Sequence, residues 1–117
     1  MSDPRRAFGA AGERAAERIL AARGLRVVAR NARTRFGEID LVLRETAGYV
    51  FVEVKTRRAS SFVSAAEAVD RRKARRIAAL AEAWLAQHGE RGAAWRLAVV
   101  ALTISAKGST AEVIDLD

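Results

Sequence analysis

Two segments in which hydrophobic and polar residues alternate constrain the fold of this chain most strongly. They are EIDLVLR, residues 38–44, and YVFVEVKTR, residues 49–57. Only ETAG, residues 45–48, separates them, and four residues are enough for a β-hairpin loop. Because successive side chains of a strand point to opposite faces, the loop length also sets which residues meet. We therefore predict an antiparallel hairpin in which Arg44 faces Tyr49.

This register separates charged from aliphatic side chains. It places Asp40 opposite Glu53 and Glu38 opposite Lys55, on one face together with Val42 and Phe51. The other face is purely aliphatic and holds Ile39, Leu41, Leu43, Val50, Val52 and Val54. A loop one residue shorter would move Asp40 into the aliphatic face, where an unpaired charge costs several kcal/mol. The four-residue loop is therefore favoured.

The remaining sequence predicts two helices and three further strands. Asp3 and Pro4 are typical of a helix start, and this helix is predicted to run to about Arg23 and stop at Gly24. LRVVAR follows as a strand, and hydrophobic residues at helical spacing predict a second helix over about 70–88. WRLAVVALTI and AEVIDLD close the chain as strands. This order predicts one domain, residues 1–117, of the α/β or α+β class, with a central mixed five-stranded sheet flanked by helices.

Charge and composition indicate the kind of partner. The chain has 117 residues and a formal charge of +7, and it contains no cysteine. Clustered arginine favours a polyanion such as nucleic acid, although an arginine- and alanine-rich chain is also typical of a GC-rich genome. No apolar run approaches the ~20 residues of a membrane span, and the first residues do not resemble a secretory signal. We expect a cytoplasmic protein that does not engage a membrane.

The charged face of the hairpin indicates a chemistry. Asp40 and Glu53, directly across a strand pair, do not both stay ionised at low cost unless a cation lies between them or one takes a proton. Mg²⁺, or Mn²⁺ in its place, prefers oxygen ligands and needs only one or two protein carboxylates plus a substrate phosphate. Lys55, on the same face, would orient the attacking water or offset charge on a phosphate oxygen. The set suits hydrolysis of a phosphodiester.

These residues resemble a known pattern. Asp40, followed thirteen positions later by Glu53-Val54-Lys55, is similar to the D…E-x-K core of the restriction-endonuclease-like nucleases, the PD-(D/E)-x-K superfamily. Together with GERAAERIL and NARTRFGEIDLV, FVEVKTR resembles the YraN-like bacterial family, whose members look like archaeal Holliday-junction resolvases. The resemblance implies a restriction-endonuclease-like fold and a Mg²⁺-dependent endonuclease acting on DNA, with branched or structured DNA as a candidate substrate. A homodimer is implied by analogy alone.

The resemblance also implies roles for individual residues. The catalytic set is Asp40, Glu53, Lys55 and Glu13. The implied metal ligands are Asp40, Glu53, the backbone carbonyl of Val54 and, less securely, Glu13. Basic and polar residues in the same segments are candidates for contact with nucleic-acid phosphates, namely Asn31, Arg33, Arg35, Arg57, Arg72 and Lys73. Two positions depart from the pattern, because Ile39 replaces the motif's proline and Ala98 stands where many relatives carry aspartate.

Several simpler interpretations stay open at this point. The charged cluster is also explained by an ion-pair network that only fixes the hairpin, with Glu38 as the partner of Lys55. Glu13 is equally compatible with a solvated position, and Lys73 with a lysine that extends from the start of its helix into solvent. The alternative function is a non-catalytic nucleic-acid-binding module with a degenerate nuclease fold, and a protein-partner role is weaker. DNA is favoured over RNA as the nucleic acid.

Overall fold

The computed structural model describes residues 4–58 and 71–116, with side chains from residue 8 onward. These residues form two helices and five strands. In order they are α1 (Pro4–Ala22), β1 (Arg26–Thr34), β2 (Gly37–Glu45), β3 (Gly48–Arg58), α2 (Arg71–Gln87), β4 (Trp95–Ser105) and β5 (Gly108–Leu116). The predicted helix starts and ends agree within one residue where they are described, and the predicted start at Asp70 lies outside the described residues.

The strands form a single mixed sheet in the order β1-β2-β3-β4-β5. Neighbouring strands are antiparallel except for β3 and β4, which are parallel and are joined by the crossover that contains α2. This arrangement confirms the predicted class, a mixed five-stranded sheet flanked by helices. None of the helices in residues 4–58 and 71–116 is long and apolar enough to cross a membrane.

A hydrophobic core lies on each face of the sheet. On the α1 side, Ala16 and Leu20 pack against buried aliphatic residues of the three central strands. On the α2 side, Trp84 makes edge contacts with Tyr49 and Phe51, at ring-centroid distances of 5.4 and 5.7 Å. Val42 and Phe51 lie in this core, on the face where the register predicted them. Because both faces are covered, only the margin of the sheet remains open for a polar site.

The hairpin register is confirmed at its loop end. Arg44 pairs with Tyr49 as predicted, and the ladder continues one step further to Glu45 and Gly48. The connection is therefore a two-residue turn inside the predicted four-residue loop, and the predicted register of the strands is unchanged. At the other end the ladder stops at the pair Leu41 and Val52.

One predicted face assignment is wrong. Ile39 was expected beside Leu41 on the aliphatic face, but Ile39 packs in the α2-side core, whereas Leu41 packs in the α1-side core. The change of face occurs where β2 has stopped pairing with β3 and is bonded only to β1, which pairs Ala32 with Ile39. The pleat therefore predicts side-chain direction only as far as the regular ladder extends.

Two glycines of α1 differ in what surrounds them. Gly12 is buried against β3, and a Cβ placed on it would overlap Thr56 Oγ1 and lie 3.1 Å from Thr56 Cβ. A Cβ on Gly9 would meet nothing within 4 Å. Gly12 therefore allows α1 to approach β3 closely, which brings the adjacent Glu13 towards the end of the hairpin.

The pair gives a matched test of this packing. Gly9→Ala should stabilise the protein by about 0.5–1 kcal/mol, because alanine loses less backbone entropy in a helix. Gly12→Ala should instead destabilise it by about 1–2 kcal/mol, because overpacking exceeds that gain. Urea denaturation followed by circular dichroism measures both. Equal stabilisation by the two substitutions would contradict the close approach of α1 to β3.

Candidate active site

Charged residues from four elements converge at the open end of the β2–β3 pair, beyond its last hydrogen-bonded rung. α1 contributes Glu13, β2 contributes Glu38 and Asp40, β3 contributes Glu53 and Lys55, and α2 contributes Lys73 and Arg76. The structure therefore brings together all four predicted catalytic residues. Their catalytic roles stay predictions.

At this point a hydrogen bond to the Asp40 side chain replaces the backbone hydrogen bonds between β2 and β3. Its Oδ2 accepts a hydrogen bond of 2.8 Å from the backbone N–H of Val54, which the ladder leaves unpaired. Burial, foremost, raises the pKa of the Asp40 carboxyl. The Val54 hydrogen bond opposes this rise, and the neighbouring charges of Glu53 and Glu38 add to it. Asp40 and Glu53 are therefore close enough to interact, as predicted, although they are not a backbone pair.

Glu13 lies beside this carboxylate group, so the solvated alternative does not hold. Burial and then the charges of Asp40 and Glu38 raise the pKa of Glu13. With the Asn31 amide oriented so that its nitrogen faces the carboxylates, it donates to Glu13 Oε1 and to Glu38 Oε1, each at 3.1 Å. Three carboxylates, Glu13, Glu38 and Asp40, form the acidic half of the site.

Asn31 was predicted to touch phosphate, but in the structure its amide is engaged by the two glutamates. It has a φ of +47°, in the left-handed region that asparagine tolerates better than most residues. This conformation lies within β1, at the residue whose amide faces Glu13 and Glu38. Nothing in the sequence pattern identified this bridge, because a positive φ inside a strand has no periodic signal.

Glu53 lies among three cations, and these cations form the basic half of the site. Its Oε1 lies 3.0 Å from Arg76 Nη2 and 3.8 Å from Lys55 Nζ, and its Oε2 lies 3.5 Å from Lys73 Nζ. Among the described residues Glu53 Oε2 is buried and accepts no hydrogen bond of acceptable geometry, so its contact with Lys73 is an ion pair at longer range. Lys55 therefore pairs with Glu53, and the expected partner Glu38 bonds Asn31 instead.

Lys73 reaches the site from the first turns of α2. Its side chain is only 18% exposed, and burial, foremost, lowers the pKa of its ammonium group. Glu53 opposes that shift and the Lys55 charge adds to it. Arg76 was not singled out from the sequence. Its position three residues after Lys73, on the same helical face, was the signal that could have found it.

The other predicted phosphate contacts are arginines with different surroundings. Arg57 Nε donates to Thr103 Oγ1 at 3.1 Å, and the Arg35 guanidinium lies 4.7 Å from the ring centroid of Phe36. Arg33 and Arg72 are exposed. Contact with a phosphate stays a prediction for each of them.

Ala98, one of the two departures from the predicted motif, is accommodated by packing. It is 1% exposed and lies in the α1-side core. Two residues before it, Arg96 bonds Glu45 through Nε at 2.8 Å and Asp115 through Nη1 at 2.6 Å, which ties β4 to β2 and β5.

The donor set suits a hard divalent cation. The candidate metal ligands of the site are all oxygen atoms. One of them, Glu53 Oε2, is a buried acceptor without a hydrogen bond among the described residues. Over residues 4–58 and 71–116, no group of three or more histidine, cysteine, aspartate or glutamate side chains is gathered closely enough to hold a metal. A cation here would therefore rest on one or two carboxylates and otherwise on water, as is usual for Mg²⁺.

The raised pKa of Asp40 has a consequence for stability. Because the folded state holds the Asp40 proton more tightly than the unfolded state, ionised Asp40 lowers stability at neutral pH, and this penalty disappears as pH falls below the ordinary carboxyl pKa. Asp40→Asn, which keeps an oxygen for the Val54 N–H, should therefore be more stable than wild type at pH 7 in metal-free buffer. The difference should shrink towards roughly pH 4.

Thermal denaturation across this pH range, with EDTA present, measures the effect. Glu112→Gln, at an exposed carboxylate of β5, is the matched control and should change stability little at any pH. A lower stability of Asp40→Asn at pH 7 would contradict the electrostatic account of the site.

Comparison with known proteins identifies the family. The family model described as uncharacterised protein family UPF0102 matches residues 12–102. A UPF0102 protein of Frankia alni is 53% identical over 94 residues, which is 80% of this chain and 78% of that protein. UPF0102 proteins of Beutenbergia cavernae and Rhodococcus jostii are each 48% identical, over 88% and 84% of this chain and 87% and 83% of theirs.

Among solved structures, Pyrococcus furiosus SfsA in complex with Ca²⁺ aligns with a TM-score of 0.42 and 17% sequence identity. The alignment covers 96% of this chain, which spans 64% of the length of that chain. The family match runs from within α1 to within β4 and agrees with the YraN-like resemblance of the sequence. The chain belongs to the UPF0102 family.

Proposed function

We propose that this protein is a Mg²⁺- or Mn²⁺-dependent endonuclease that hydrolyses phosphodiester bonds in DNA, with branched or structured DNA as its substrate class. One observation carries the proposal. Asp40 and Glu53, from adjacent strands, meet Lys55 at the end of a hairpin, and Glu13 approaches the same point from α1. Such a concentration of interacting titratable groups at one open margin favours a catalytic site over a purely structural network.

Asp40 and Glu53 are the residues proposed to hold the ion, with Glu13 and the Val54 carbonyl as further oxygen donors. When bound, the ion supplies positive charge against the reacting phosphate. Asp40 is held in place for this role, because its Oδ2 accepts a hydrogen bond from the Val54 N–H, and its Oδ1 is the oxygen proposed to bind the ion. Burial and, after it, neighbouring carboxylates raise the pKa of Asp40 and of Glu13, and the positive charge of the ion would oppose both rises.

Lys55 is proposed to act on the reacting atoms directly. Its side chain is 47% exposed and its ammonium lies 3.8 Å from Glu53 Oε1, so it is anchored beside the carboxylate while remaining accessible to a substrate. From there it orients the attacking water and offsets the charge that develops on the phosphate oxygens. Lys73 and Arg76 add two further positive charges on the α2 side, where the scissile phosphate would bind.

Cleavage of a four-way DNA junction, beside a linear duplex of the same sequence, tests this proposal. The wild-type protein should cut with Mg²⁺ or Mn²⁺ and not with EDTA. Asp40→Asn and Lys55→Ala should each lower the rate by ~10²-fold or more, because each removes an interaction with the reacting groups. Lys107→Ala, in the exposed turn between β4 and β5, is the control and should cut normally. Undiminished cleavage by Asp40→Asn would overturn the proposal.

The second candidate is a nucleic-acid-binding module without efficient catalysis. It is favoured by the three cations, Lys55, Lys73 and Arg76, that already neutralise Glu53 and would have to yield it to a metal. In the same assay this function predicts DNA binding that weakens with salt, survives EDTA and is never followed by cleavage.

A further inference from the structure

A groove of about 1180 Å³ lies along α2. We call it the hairpin groove after the β1–β2 hairpin, which is distinct from the β2–β3 hairpin of the site. The turn between β1 and β2 forms one wall of the groove through Arg35 and Phe36. The segment leading into β4 forms the other wall through Arg91 and Trp95, and the floor consists largely of alanines of α2. Its volume exceeds the ~300–1,000 Å³ typical of small-molecule pockets and is suited to part of an extended chain.

Phe36 is held outside the hydrophobic core by its own turn. Thr34 Oγ1 accepts a hydrogen bond from the Phe36 N–H and donates one to the Gly37 carbonyl, each at 3.1 Å. The side chain is 57% exposed, although the α2-side core begins only three residues away, at Ile39. Exposing a phenyl ring forfeits hydrophobic stabilisation, and this ring lines the groove, where a bound ligand would cover it.

The chemistry of the groove favours a nucleobase. The Arg35 guanidinium lies 4.7 Å from the Phe36 ring centroid, a cationic and aromatic pair of the kind on which bases stack. Arg35 and Arg91 supply two positive charges for backbone phosphates against the single carboxylate of Glu82, which with Gln87 can bond base edges. A second copy of this chain is a poorer occupant, because two chains of +7 repel each other.

The groove and the site are close along the chain. Glu38, in the acidic half of the site, follows Phe36 by two residues, so at most roughly 7 Å separates their Cα atoms. A DNA strand with a phosphate at the site could therefore place a neighbouring nucleotide on Phe36. We propose that the hairpin groove binds an unpaired nucleobase of a DNA strand, stacked on Phe36 with its phosphates against Arg35 and Arg91. This inference rests on the proposed function, since it names the single-stranded feature that the substrate presents.

The test compares binding of single-stranded DNA with binding of a blunt duplex of equal length, by fluorescence anisotropy in EDTA. Phe36→Ala should weaken single-strand binding by roughly 5- to 150-fold and leave duplex binding within about twofold, because stacking is available only to unpaired bases. Phe36→Tyr should restore the affinity. The matched control is Val28→Ala, which removes the other large exposed hydrophobic side chain of the described residues and should change neither affinity.

A second measurement reports on the groove itself. Trp95 lines the groove, whereas Trp84 is buried at 3% exposure, so bound bases should quench mainly Trp95 fluorescence in wild type and less so in Phe36→Ala. Unchanged single-strand binding by Phe36→Ala, or an equal loss for single strand and duplex, would overturn the inference. So would a Phe36-dependent self-association in sedimentation, which would assign the groove to a second copy. Because no metal is present, these results are independent of whether the protein cuts DNA.

Discussion

The hydrogen bond from the Val54 N–H to Asp40 Oδ2 is the contact on which both the fold and the site depend. It lies one step beyond the last backbone rung of the β2–β3 pair, where the ladder ends at Leu41 and Val52. The carboxylate satisfies the Val54 amide and so allows the two strands to part without leaving a buried donor unpaired. The opening created in this way is the space that Glu53, Lys55 and the neighbouring charges share.

The charge of the site is divided into two halves, namely three carboxylates from α1 and β2, and three cations around Glu53 from β3 and α2. Each half alone is unfavourable, since like charges that are partly buried repel one another. Asn31 moderates the repulsion in the acidic half by donating hydrogen bonds to two glutamates. Glu53 moderates it in the basic half by pairing with three cations. The two-sided hydrophobic core supplies the stability that such an arrangement costs. This polarity suits a ligand that itself carries both charges, namely a phosphate with its divalent counter-ion.

The regular part of this architecture could be predicted from the sequence, and the irregular part could not. Alternation in residues 38–44 and 49–57 predicted the hairpin and its register, because the pleat imposes a strict period of two. That reasoning fails at Ile39, where the ladder has ended and β2 changes face. Motif spacing found Asp40, Glu53 and Lys55. Asn31 was missed in its observed role, because a positive φ within a strand leaves no periodic trace in the sequence. Arg76 was missed although its helical spacing from Lys73 could have indicated it.

The central claim is that the carboxylates at the end of the hairpin form a divalent-cation site. Calorimetric titration of Mn²⁺ into the wild-type protein and into Asp40→Asn tests it directly, without depending on any substrate. Asp40→Asn keeps the oxygen that accepts from Val54, so the variant should remain folded while losing one charged ligand. Saturable heat from the wild type that is absent from Asp40→Asn is the result this account predicts. Identical isotherms for the two proteins would contradict it.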